Sequence, residues 1–97
     1  MAIQFKNCIE FARTNEDVLR VVDHAIRTGS KEGLETSERC SDADILDLRV
    51  RVMRVYAPLH DLEMWEPATL TEHQKKQLVV LHEIVANCDN RRAKLRT

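Results

Sequence analysis

The nearest approach to a catalytic signature in this sequence begins at His82, which with Glu83 opens the pentad HEIVA. A helix carrying His-Glu-x-x-His sets two imidazoles on one face to hold zinc, with the glutamate as general base. Here position 86 is alanine, so the second ligand is missing and the motif fails. His60 and Glu63 are three apart and could share a helix face, but one such pair arises readily by chance. Cys8, Cys40 and Cys88 have neither Cys-x-x-Cys spacing nor a regular period. We therefore expect no metal site and no cofactor.

Nucleophilic chemistry is no better supported. Ser30, Ser37 and Ser41 lie in a polar stretch without a Gly-x-Ser-x-Gly elbow. Cys8 and Cys88 fall on apolar stripes, where free cysteine acts as a small hydrophobe. Cys40 is the thiol expected to be exposed and open to oxidation. The two glycines, Gly29 and Gly33, are not followed by a Lys-Ser/Thr pair, so no phosphate loop can form. Glu16 and Asp17 sit where a helix start explains them. No catalytic residue is assigned, and an enzymatic role is expected only as an accessory subunit of another protein's reaction.

Cations form two groups, Arg49, Arg51 and Arg54 in mid-chain and Arg91, Arg92, Lys94 and Arg96 near the end. Both could contact phosphates in a nucleic-acid-binding regulator. The formal net charge of −1 weighs against that alternative. Cations in the last turn of a helix also have a simpler explanation in the helix dipole.

The elements that must position these residues are helical. A chain of 97 residues with two glycines, two prolines, 43% hydrophobic and 32% charged residues suits one all-α domain. Phe5, Cys8, Ile9 and Ala12 recur at helical spacing, and Leu19, Val22 and Ile26 continue the stripe, with Phe5, Ala12, Leu19 and Ile26 each seven apart. A helix over about 3–28 is expected, either continuous or broken near 14–15 with Asn15 as cap, and Gly29 is its stop signal. Residues 29–41 read as a loop or poorly ordered connection, simply tolerated, with a binding loop as the alternative.

A second helix is expected over 42–57, capped by Ser41 or Asp42. Its sequence also alternates as a strand would, but no second strand is present to satisfy a lone strand's backbone. Ile45, Leu48, Val52, Val55, Tyr56 and Leu59 form one apolar stripe, and Leu46, Val50, Met53 and Ala57 a second on the opposite flank. Pro58 should end or kink this helix, leaving a short element over 59–65. Thr71 and Gln74 read as a capping box for a last helix over 71–94, with Leu78, Leu81, Ile84, Val85, Cys88 and Leu95 on one face.

A helix apolar on two sides needs two neighbours, and the second face is covered by a twin subunit, by a partner protein, or by a central position in the chain's own bundle. The expected architecture is a bundle of three to four helices completed by homodimerisation through Leu46, Val50, Met53 and Ala57. Leu59, Leu62, Met64 and Trp65 are the candidate partner-binding anchors, the alternative being that Trp65 plugs the core. The start MAIQFKNCIEF lacks signal-peptide features, so a cytoplasmic, bacterial-style protein with reduced thiols is expected. Its expected function is non-enzymatic regulation by stoichiometric protein binding, such as an anti-activator that captures a transcription regulator and blocks its dimerisation.

Overall fold

A computed structural model of the chain describes residues 5–96. The described residues are mostly helical, without strands: three α-helices joined by extended stretches and 3₁₀ turns. The segment over 42–57 that alternates like a strand is thus helix.

The amino-terminal segment is not one helix. Two 3₁₀ turns, Phe5–Asn7 and Ile9–Phe11, precede an extended stretch at Ala12, and α1 runs over Asn15–Thr28. Residues 3 and 4 of the expected helix, and the Phe5 side chain, lie outside the described residues. The cap is Thr14 rather than Asn15: its hydroxyl accepts from the Asp17 N–H at 3.0 Å, and the Asp17 carboxylate accepts from the Thr14 N–H at 3.2 Å. This reciprocal box satisfies donors that a helix start leaves unpaired, and it fixes the break. Ile9 and Ala12 still reach the core, though not from a helix continuous with α1. On α1 the buried face is Val18, Val21, Val22 and Ala25, with Leu19 and Ile26 at its flank.

Gly29 ends α1 at φ 72°, a left-handed conformation that costs any residue with a Cβ. An added Cβ would meet nothing within 4 Å, so the penalty at this position is purely one of backbone. Gly29→Ala is expected to lower stability by about 1 kcal/mol, with Gly29→Asn milder, as read from urea midpoints.

The connection from 29 to 41 is anchored rather than loose. A 3₁₀ turn, Glu32–Leu34, buries the Leu34 side chain to 2% exposure. The Leu34 carbonyl accepts from Asn87 at 3.2 Å, and Lys31 pairs with Glu83 at 3.3 Å. The Ser37 N–H donates to Glu10 at 2.6 Å.

Helix α2, Asp42–Trp65, starts from a Ser41–Asp44 capping box and runs without interruption through Pro58. The expected division into 42–57 and 59–65 does not occur. Proline removes one N–H and crowds the preceding turn. Arg54 and Pro58 both lie on the exposed side, where water can serve the carbonyl that loses its donor. Leu59 beyond the proline packs against the core and Leu62 is half-buried, so the continued inward stripe offsets the local cost.

The Glu66 N–H bonds to the Leu62 carbonyl at 2.8 Å to close α2, and the Pro67–Thr69 turn then leads to buried Leu70. Thr71 and Gln74 form the capping box of α3, Glu72–Leu95. Arg49–Asp89 and Arg92–Asp42 pairs show that α2 and α3 run antiparallel. Helix α1 packs on both of them, with Asp23 meeting His73 at 2.9 Å and Gln77 at 3.0 Å. The core is aliphatic, centred on Ile9, Val18, Val22, Ile45, Val52, Leu81 and Ile84, with Cys88 among them. Leu95, expected on the inward face of α3, is exposed because it lies past the end of this core.

Candidate interaction surface

Helix α2 divides its apolar residues between two sides. Ile45, Leu48, Val52 and Val55 are buried, with Tyr56 and Leu59 packed beside them. On the opposite side Leu46 is 41% exposed and Val50 48%, Met53 is half-buried, and Ala57 is exposed. Met64 continues this outer line at 60% exposure. From Leu46 to Met64 the line runs about 27 Å at 1.5 Å per residue.

The four proposed anchors at the end of α2 do not share one environment. Leu59 packs on the core and Leu62 is half-buried, because they continue the inward stripe across Pro58. Met64 and Trp65 face solvent, Trp65 at 77% exposure, so the indole does not plug the core. Partner contact at this end would fall on Met64 and Trp65.

Beside the outer line is a groove of about 290 Å³ between α2 and α3, lined by Met53, Tyr56, Ala57, His60, His82 and Val85 among others. The Tyr56 ring lies 5.4 Å from His60 and 6.4 Å from His82, centroid to centroid. His82, from the incomplete zinc motif, lines this groove, whereas Glu83 is drawn to Lys31 in the 29–41 connection. Among the described residues no three metal-ligating side chains come together.

The cations are partly committed to the fold. Arg49 binds Asp89 at 2.8 Å and Arg92 binds Asp42 at 2.9 Å, both linking α2 to α3. The hydrogen bond from Arg92 is the main reason the Asp42 carboxyl sits below the usual carboxylate range, and it raises Arg92 in turn. The Nε atoms of Arg51 and Arg91 are buried without a hydrogen-bond partner. Arg54 and Arg96 are exposed. A phosphate backbone would thus meet an interrupted set of charges rather than a stripe.

The Cys40 thiol is not the exposed, oxidisable group expected from its polar neighbours. It is half-buried and donates to Glu10 at 2.9 Å. Burial, this hydrogen bond and the charge of Glu10 push it up to about 11, so it stays protonated and a poor nucleophile at neutral pH. Burial likewise pushes Cys88 up to about 11, and Cys8 is raised for the same first reason. For Glu10 itself burial acts upward. The hydrogen bonds from Cys40 and Ser37, with Arg39 nearby, outweigh it and hold the carboxyl low.

Compared with known protein families, with curated proteins and with solved structures, the chain matches none of them. Its own surface is therefore the basis for a functional reading. No helix is long and apolar enough to cross a membrane among the described residues. Two exposed apolar side chains stand outside the stripes read from sequence: Val79 on α3, at 68%, and Phe11, at 43%. Val79 was legible as the apolar residue that falls opposite Leu81 on the helix wheel. Phe11 has no such signal, because its exposure follows from the 3₁₀ turn that replaces the expected helix.

The depressed carboxyls carry a pH dependence. Asp17 is held low chiefly by the backbone N–H groups of Arg13 and Thr14, and Asp42 by Arg92. Both bind a proton less readily folded than unfolded, so their contribution is present above the ordinary value of 3.8 and is lost as pH falls through the folded values. Asp42→Asn is expected to flatten this acid limb in denaturant midpoints measured along an acid series. A limb unchanged from the parent would remove the Asp42–Arg92 link as its cause.

Proposed function

We propose that the protein is a non-enzymatic regulator that acts by stoichiometric binding to another protein, with α2 as the binding element. The observation that carries this reading is the apolar line on the outer side of α2, which ends in exposed Met64 and Trp65. Methionine and tryptophan are favoured at interface cores, where a few such anchors supply most of the binding energy. In this reading Leu46, Val50, Met53 and Ala57 pair with a second copy, and the Met64–Trp65 end engages the target. A transcription regulator that dimerises through an apolar helix face is the target class we favour. Occupying that face would block its dimerisation, which is the action of an anti-activator.

Trp65→Ala and Met64→Asp test the target-binding end. Both side chains are exposed, so each variant should keep the parent's helical circular dichroism and melting curve. Capture of the target from native lysate, followed by titration of the identified protein, is expected to weaken tenfold or more, on the order of a hot-spot truncation. Equal affinity in parent and variants would remove this end of α2 from the binding surface.

A further inference from the structure

We infer that the outer face of α2 is covered by α2 of a second copy running antiparallel, about a two-fold axis that passes between Val50 and Met53. This rests on the self-association part of the function proposed above and gives it a register. Two observations converge on it.

The first is charge. Asp47 and Arg54 lie seven residues apart, on the same flank of the outer apolar line, and both are exposed. Neither takes part in an ion pair among the described residues. An antiparallel two-fold brings like flanks together, so Asp47 meets the partner's Arg54 and Arg54 meets the partner's Asp47. A parallel pair would instead bring opposite flanks of the two helices together and give Asp47 and Arg54 no such mutual pairing. The face is thus complementary to itself in one direction only.

The second is shape. The same register sets Leu46 opposite the partner's Ala57 and Val50 opposite the partner's Met53, a large residue facing a smaller one at each step. That alternation lets two helices approach at 8–10 Å, the usual interaxial distance.

Charge reversal tests the register. Asp47→Arg and Arg54→Asp, taken singly, each turn two attractive pairs into repulsive ones and are expected to weaken the dimer about tenfold by sedimentation equilibrium. The double variant Asp47→Arg/Arg54→Asp restores both pairs and is expected to return to within about twofold of the parent. Melting curves at a concentration where the chain is monomeric separate any cost within one chain, since Asp47 also borders Arg51 in the cleft beside Cys40. A parent dimer indifferent to the single reversals, or one that the double reversal fails to rescue, overturns the register and leaves self-association standing. A parent chain that stays monomeric overturns both, while target capture through Met64 and Trp65 keeps its own test.

Discussion

Val50→Asp is expected to raise the dissociation constant of the proposed dimer at least a hundredfold with the fold of the single chain retained. Val50 is 48% exposed in one copy, so an aspartate there stays in water and changes the monomer's stability by no more than about 0.5 kcal/mol. At a two-fold interface the same change acts twice and places two carboxylates near the axis, where each must be desolvated without a partner. A few kcal/mol of loss corresponds to two or more orders of magnitude in affinity. Met53→Asp should dissociate the dimer as well. Met53 also lines the groove with Tyr56 and His82, so some loss of monomer stability is expected from it and not from Val50. Sedimentation of the Val50 variant at the parent's dimer mass would take this face out of the interface.

Leu34→Ala is expected to cost about 2–4 kcal/mol, the usual range for removing a buried leucine side chain beyond Cβ. A domain of this size has roughly 5–15 kcal/mol in all, so the variant should lose a substantial part of its stability. The chain around Leu34 is short of apolar residues, and the sequence alone would place the substitution in a tolerant loop with an effect below about 0.5 kcal/mol. At 2% exposure, with its carbonyl held by Asn87, Leu34 instead packs into the core where the connection meets α1, α3 and the Ile9–Phe11 turn. A urea midpoint lowered at constant slope would show this; a midpoint unchanged from the parent would make the connection the loose segment its composition suggests.

What the sequence made legible was local chemistry. Thr71 with Gln74 announces a helix start because side chain and backbone satisfy each other within four residues. The stripe from Ile45 to Val55 announces a helix because its period is set by geometry alone. The misreadings come from a missed local cap and from contacts distant in sequence. The seven-residue spacing of Phe5, Ala12, Leu19 and Ile26 favoured one rod over the alternative of a break near 14–15, yet the Thr14–Asp17 box starts α1 there. Pro58 suggested a stop, yet Leu59 and Leu62 continue the inward stripe beyond it, and the helix persists.

The surface follows the same division. Leu46 and Val50 were readable as a second stripe because they fall opposite the first on a helix wheel. The packing of Leu59 was not readable once a break at Pro58 was assumed. Cys40 looked exposed because its neighbours in sequence are polar. The group that shields it, Glu10, is thirty residues away and reaches it only through the turn at Ile9–Phe11.

Trp65, the chain's only tryptophan, has a practical consequence for anyone who studies this protein in solution. Its indole is already bathed in solvent in the native state, so its fluorescence emission will be red-shifted from the outset and will change little on denaturation. A blue shift on adding a second protein would instead mark the ring entering a dry contact. The intrinsic optical probe of this molecule thus reports association, while its melting must be followed by the amide chromophores of the helices.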